Sequence, residues 1–209
     1  MTSEWASCPT GWIRSEGLSR FGGREHGVAC AALKLYVAIL LFAQNDKKIS
    51  SSRGTTALTY DQLQDLTGLS RAYVADGLRK LEKEELVFIR KEGRAQRYQV
   101  QRYAVPGEWV KLPKKRLLDQ RILPRLSARR RSDLNALKQF LLLAAFRNGA
   151  NGETKIGYDK ITDYTGMQRV QISAANSVLL DLGLIVINRD HDFSEKVNQP
   201  NRYKILGLS

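Results

Sequence analysis

The sequence contains few of the residues that build metal centres or disulfide frameworks. Its 209 residues include only two cysteines, Cys8 and Cys30, and two histidines, His26 and His191. The positions of these four residues do not form a zinc-ligand spacing, and Cys30 lies in an apolar run typical of a reduced core. We therefore expect no metal, no cofactor and no structural disulfide.

Motifs of catalysis are missing as well. There is no glycine-rich phosphate loop with Lys-Ser/Thr and no nucleophile elbow, and the carboxylates are scattered among basic neighbours. His26 lies in a polar, glycine-rich turn from Phe21 to Gly27, ahead of a helix. The sequence predicts that the protein is not an enzyme.

No segment favours export or a membrane. The longest apolar run, residues 28–43, contains Lys34 and is too short to span a bilayer comfortably. Residues 1–11 lack the basic stretch followed by an apolar one that marks a secretory signal. We expect a cytoplasmic protein with no membrane partner, associated with the nucleoid if the source is bacterial.

What the sequence does have is an excess of positive charge. Thirty-four Lys and Arg oppose 21 Asp and Glu, for a formal net charge of +13. Such an excess favours a polyanionic partner, because each cation placed on a phosphate releases condensed counterions.

The second half of the sequence repeats the first. The block from Tyr60 to Arg71, with its Thr-Gly pair, returns from Tyr158 to Arg169 at a constant offset of 98 positions. Three further blocks recur in the same order: Ala32-Leu33-Lys34 as Ala136-Leu137-Lys138, Trp12-Ile13-Arg14 as Trp109-Val110-Lys111, and Arg97-Tyr98 as Arg202-Tyr203. Four ordered blocks indicate a tandem duplication.

Each copy predicts the same elements, because apolar periodicity of 3.6 gives way to periodicity of two. A short strand is expected around Trp12 and Trp109. The predicted segments that follow are core helices over 28–44 and 134–147, polar loops over 48–56 and 148–154, short helices ending at Gly68 and Gly166, further helices over 70–84 and 168–181, and hairpins at 86–100 and 184–206.

This order of elements is that of the winged helix-turn-helix. Residues 58–100 resemble that family closely, notably the run from Tyr60 to Arg71 with Leu78 and Leu81 behind it. The resemblance implies a mainly α fold with small β-hairpins (α+β), built as two tandem winged helix-turn-helix domains. We expect an N-terminal tail over 1–11, domain 1 over 12–104, a basic linker over 105–133 and domain 2 over 134–209.

In a helix-turn-helix, the second helix of the motif enters the major groove with its N-terminal residues at base edges. The apolar stripe of Val74, Leu78 and Leu81 turns the other residues of that helix outward. The candidate DNA-binding residues are Ser70, Arg71, Ala72, Tyr73, Ala75 and Arg79 in the first recognition helix, and Gln168, Arg169, Gln171, Ser173 and Ser177 in the second.

Four of these residues have an expected role. Arg71 and Arg169 can each form a forked contact with a guanine edge, and Gln171 can pair with adenine. For Tyr73, contact with phosphate or a thymine methyl and packing on its own helix are both open. Because the two copies differ at outward positions, we expect an asymmetric site with half-sites about 10 bp apart.

Basic residues also mark the hairpins and the linker. The candidate wing residues are Arg90, Lys91, Arg94 and Arg97 in the first hairpin, and Arg189, Lys196, Asn198 and Arg202 in the second. Within the linker, residues 111–131 hold nine cations against one acid: Lys111, Lys114, Lys115, Arg116, Arg121, Arg125, Arg129, Arg130 and Arg131. They are interleaved with leucines, so we expect a partly packed segment lying along phosphates.

The expected partner is double-stranded DNA, and a homodimer is left open. Three functions fit. The first is a sequence-specific transcriptional regulator. The second is a plasmid or mobile-element replication initiator, since such proteins also resemble two fused winged helices. The third is a protein- or RNA-interaction module, which the net charge and the lack of paired exposed aromatic residues disfavour.

Overall fold

The structure is a computed structural model that describes residues 3–44, 53–92, 95–103, 105–188 and 200–208. Within these residues it is an α+β protein that combines long helices with small antiparallel sheets, as expected. The buried apolar side chains of both halves belong to one hydrophobic core.

The two halves have closely similar element orders. The first consists of β1 (Ala6–Pro9), α1 (Gly11–Arg14), 3-10 turns at Gly17–Arg20 and Gly23–Glu25, α2 (His26–Phe42), β2 (Thr55–Leu58), α3 (Tyr60–Thr67), α4 (Arg71–Lys83), β3 (Val87–Glu92) and β4 (Ala95–Val100). The second consists of β5 (Trp109–Leu112), α5 (Lys114–Asp119), α6 (Ile122–Arg125), α7 (Arg131–Ala145), β6 (Glu153–Ile156), α8 (Tyr158–Thr165), α9 (Arg169–Asp181), β7 (Ile185–Asn188) and β8 (Asn201–Ile205).

The sheets repeat as well. One has the order β2-β4-β3 and another the order β6-β8-β7, and each middle strand buries one tyrosine, Tyr98 or Tyr203. The third sheet joins the halves, because β1 pairs antiparallel with β5, Ala6 opposite Leu112 and Pro9 opposite Trp109.

The helix pair α3–α4 owes its ends to local chemistry. The Thr59 hydroxyl accepts a hydrogen bond from the Gln62 amide, whose own side chain accepts from the Thr59 amide, so the capping box begins α3. Gly68 ends α3 in the left-handed region at φ 67°, and the Ser70 hydroxyl caps α4. In the second half, Gly166 ends α8 at φ 68°. These ends match the predicted ones.

The core helices α2 and α7 are buried along almost their whole length. Among the described residues, the stretch Gly23–Phe42 is the one helix long and apolar enough to cross a membrane by length and composition. Most of it, 72% of its most apolar window, is buried inside the protein, which is also what the core helix of a soluble protein shows.

Two expectations about the start of each copy are wrong. Residues 6–9, expected in a tail, form the buried strand β1, in which all four residues face other protein atoms and no alternation can show in the sequence. Trp12 lies in helix α1, whereas Trp109 begins strand β5. The aligned tryptophan blocks are therefore not structurally equivalent, and β1 is the counterpart of β5.

The predicted polar loops each end in a strand that was not expected. Strands β2 and β6 have four residues each and bury threonines, Thr55 and Thr56 in one and Thr154 in the other. Their hydrogen-bonding partners are the last strands of each half, β4 and β8, whose paired residues lie 38 to 51 positions further along the chain.

Candidate nucleic-acid interface

The first turn of α4 is exposed where the sequence predicts a recognition helix. Ser70, Arg71 and Ala72 are exposed, and so is Arg79, whose guanidinium pairs with Asp76 on the same helix. Tyr73 and Ala75 are half-buried, as is Asp76. Of the six residues predicted to contact DNA around α4, four are therefore exposed and two are half-buried.

Arg71 lies against the start of α3. Its guanidinium is 5.0 Å from the centre of the Tyr60 ring and 3.5 Å from a carboxylate oxygen of Asp61. In the second half, Arg169 pairs with Asp159, the counterpart of Asp61. All four side chains are strongly exposed, from 66% to 88%, so both pairs are solvated.

Tyr73 packs rather than standing free. A Cβ atom placed on Gly27, in the first turn of α2, would lie 2.9 Å from the Tyr73 hydroxyl and 3.3 Å from the Ala128 carbonyl oxygen. A side chain at position 27 would therefore displace the Tyr73 ring. The contact ties the start of α4 to the start of α2 and to the segment that precedes α7.

The first turn of α9 differs from that of α4. The Gln171 side-chain oxygen accepts a hydrogen bond from the Gln168 amide at 3.0 Å, so this oxygen is engaged in capping and not fully available to adenine. The Ser177 hydroxyl donates to the Ser173 carbonyl at 3.2 Å. Val170, which the sequence analysis did not select, is 73% exposed beside Arg169.

Each helix turn adjoins a segment from the other half. We define the leading segments as residues 10–25 and 113–130, which precede the core helices. A Cβ on Gly68 would lie 3.1 Å from the Cα of Pro124, and one on Gly166 would lie 3.7 Å from the Cβ of Ser19.

The leading segments also meet around the starts of α2 and α7. The Arg131 guanidinium donates to the Gly23 carbonyl at 3.2 Å, and His26 Nε2 lies 3.4 Å from the Arg129 carbonyl oxygen. The turn before α4 therefore adjoins the second leading segment, the turn before α9 adjoins the first, and the two segments contact each other. Arg24, Arg129, Arg130 and Arg131 are exposed in or at the ends of these segments.

The first four basic residues of the predicted linker lie away from the helix turns. Lys111 lies over the Trp5 ring, Lys114 over the Phe42 ring, and the Lys115 ammonium is 4.0 Å from Glu4. The Arg116 guanidinium donates to the Gly183 carbonyl at 2.8 Å. These cations hold together the β1–β5 pair and the end of the second half.

Most of the remaining linker cations also bind protein groups. Arg121 pairs with Asp65 at 3.1 Å, and the Arg125 guanidinium is 3.5 Å from the Asp181 carbonyl oxygen. Arg130 pairs at 2.9 Å with the buried Asp133. Arg129 is exposed. The segment is thus packed, as expected, and much of its charge positions the fold.

The described part of the wings is basic and exposed. The Arg90 guanidinium lies 5.2 Å from the Phe88 ring centre, and Lys91 and Arg97 are exposed. Arg202 is half-buried, 4.0 Å from Glu153. The predicted wing residues outside the described residues are Arg94, Arg189, Lys196 and Asn198.

Two repeat-related lysines are buried behind this surface. The Lys34 ammonium donates to the Leu126 carbonyl at 2.5 Å, and that of Lys138 to the Thr165 carbonyl at 2.6 Å. Burial lowers the pKa of both side chains, that of Lys138 to about 8, with the nearby Arg131 charge adding to the effect. Burial raises the pKa of the neighbouring Cys30 to about 12, so this thiol is protonated and unreactive at neutral pH.

In the part of the chain that the structure describes, no three His, Cys, Asp or Glu side chains are grouped so as to hold a metal ion. The chain matches none of the protein-family models and none of the curated proteins with which it was compared.

Proposed function

We propose that this chain is a sequence-specific double-stranded DNA-binding protein, built from two winged helix-turn-helix units that present α4 and α9 to one duplex. The repeated order of core helix, strand, short helix, turn, helix and hairpin supports the winged-helix assignment. The net charge of +13 supports a polyanionic partner.

One observation carries the proposal. Arg71 and Arg169 occupy equivalent, exposed helix starts, each forms an ion pair with an exposed aspartate, and the two leading segments that adjoin these helix turns contact each other. Ion pairs this exposed are worth about 1 kcal/mol or less, so each arginine can exchange its aspartate for a guanine edge or a phosphate at small cost.

The two reading surfaces differ in chemistry. The outward face of α4 carries Arg71 and Arg79, whereas beyond Arg169 the exposed residues of α9 up to Ser177 are uncharged. A single chain therefore reads two unlike half-sites.

Within this class we favour a cytoplasmic transcriptional regulator. A regulator of this kind should bind one asymmetric operator near the promoter that it regulates. An array of directly repeated sites would instead assign the chain to replication initiation at an origin, and mapping binding sites on the surrounding DNA distinguishes the two.

The test begins with selection of a duplex by the wild-type protein from random sequences. Affinities of Arg71→Ala and Arg169→Ala are then measured for that duplex and for each single base-pair change in it. Each variant should lose about 1–3 kcal/mol and become indifferent to the base pair at one position, in different half-sites. Arg102→Ala is the matched control, because Arg102 is an equally exposed arginine paired with Glu108 beyond β4.

Uniform weakening across all sequences would make these arginines phosphate contacts, and absence of duplex selection would refute DNA binding.

A second experiment measures how the affinity for DNA depends on salt concentration. Arg129→Ala should reduce the slope of log affinity against log salt by about 0.9. Arg116→Ala, whose guanidinium binds the Gly183 carbonyl, should leave the slope unchanged and lower stability by about 1 kcal/mol.

A further inference from the structure

The recognition helix of the second half exposes an apolar side chain at its start. Val170 has the largest exposed fraction, 73%, of any large apolar side chain among the described residues. Its counterpart in α4 is Ala72, which is also exposed but has a single methyl group. The position is therefore outward in both halves, and only the second half puts an isopropyl group there.

Among the described residues, Val170 is not one of the apolar side chains that pack against the hydrophobic core. Exposed apolar area is unfavourable in water, and a β-branched residue restricts its own rotamers in a helix, so alanine would suit an isolated helix better. Val170 lies next to Arg169, the residue proposed to reach a base edge. Its side chain is thus placed to approach the same groove.

The other exposed residues of α9 would allow this helix to approach the base edges closely. Ser173, Ala174 and Ser177 follow Val170 on the outward side of α9, and all three are small and uncharged. On α4 the corresponding positions hold Ala75, Asp76 and Arg79. A helix with short side chains can lie deeper in the major groove, where the C5-methyl group of thymine is the one apolar feature of a base edge.

We propose that Val170 packs on the C5-methyl group of a thymine in the half-site bound by α9, making it a specificity-determining residue. This inference rests on the proposed DNA-binding function. It assigns the second half-site a thymine next to the base pair contacted by Arg169, while Ala72 makes the weaker contact, or none, in the first half-site.

The test removes the methyl group from the DNA instead of from the protein. Each thymidine of the duplex selected by the wild-type protein is replaced, one at a time, by deoxyuridine. At one position in the half-site of α9, the wild type should bind about fourfold more weakly, the effect of losing one buried methyl group. Val170→Ala should bind the unmodified duplex more weakly by a similar factor and be indifferent to deoxyuridine at that position.

Ala72→Val is the matched variant, since it places the same side chain in the first half without removing a contact in the second. It should retain the wild-type response to deoxyuridine in the half-site of α9. A selected site without thymine there, a wild type indifferent to every deoxyuridine, or a Val170→Ala variant that keeps the wild-type response would overturn the inference while leaving DNA binding intact. Failure of the wild type to select any duplex would instead refute the proposed function.

Discussion

At the scale of single residues, the two glycines of the helix turns have the same backbone conformation but differ in how closely other residues pack against them. Gly68 and Gly166 have nearly the same positive φ, 67° and 68°, which costs any residue with a Cβ atom about 1 kcal/mol or more. Their surroundings differ, because Pro124 crowds Gly68 and Ser19 lies at ordinary contact distance from Gly166. The turn in the first half is therefore more tightly packed.

This difference predicts unequal effects of the same substitution. Gly166→Ala should lower the free energy of unfolding by about 1–2 kcal/mol through backbone strain alone. Gly68→Ala should cost about 1–3 kcal/mol more, because its Cβ would lie 3.1 Å from the backbone of Pro124. Urea denaturation of both variants measures the difference, and equal losses would show that the segment around Pro124 moves aside freely.

At the scale of elements, local signals predicted the helices well. The glycines after α3 and α8, the cap at Ser70 and the apolar repeats of α4 and α9 predict these four helices within a few residues, because each signal lies within or next to a single element. The short strands could not be predicted in this way. β2 and β6 each have four residues, and their hydrogen bonds come from β4 and β8 far along the chain.

The candidate site was likewise predictable only in part. The outward position of Arg71 and Arg169 follows from their place after the turn. The partners of the linker arginines do not, because Arg116 and Arg131 bind the carbonyl groups of Gly183 and Gly23, which only the tertiary fold brings near. Val170 lies outside the predicted set, although the sequence repeat aligns it with Ala72, which is in that set.

The core helix α7 contains a titratable group that makes stability depend on pH. In the unfolded chain Lys138 holds its proton up to about pH 10.5, whereas in the folded protein burial lowers its pKa to about 8. Between these values the unfolded state binds more protons, so the contribution of Lys138 to stability rises with pH.

Lys138→Met removes this titration. The difference in unfolding free energy, wild type minus variant, should rise by about 2 kcal/mol in favour of the wild type between pH 7 and pH 9.5. Chemical denaturation of wild type and variant is measured at matched pH values. The titration of tyrosines and cysteines, which both proteins contain, then cancels in the difference, and the contribution of Lys138 remains. A difference independent of pH would mean that Lys138 remains charged when it donates to the Thr165 carbonyl.

At the scale of the whole molecule, the two halves interlock instead of sitting side by side. β1 of one half pairs with β5 of the other, and Lys34 in α2 binds the Leu126 carbonyl in the second leading segment. The Arg14 guanidinium in turn donates to the Ala145 carbonyl at the end of α7, at 2.8 Å. These contacts link the two halves that contain α4 and α9. Under the proposed function, a fixed spacing between these two helices would set the spacing of the half-sites.

Because the two halves interlock, we expect them to unfold in one cooperative transition. The three tryptophans, Trp5, Trp12 and Trp109, report on the β1–β5 region by fluorescence, whereas far-UV circular dichroism reports on helices in both halves. The two probes should give the same midpoint in urea. Arg14→Ala should shift both midpoints together, for a loss of about 1–2 kcal/mol, because its two hydrogen bonds to the Ala145 carbonyl join the halves. Independent halves would instead give a biphasic circular dichroism curve, with fluorescence following one phase only. The proposed function would then lose the fixed spacing of α4 and α9 on which its two half-sites depend.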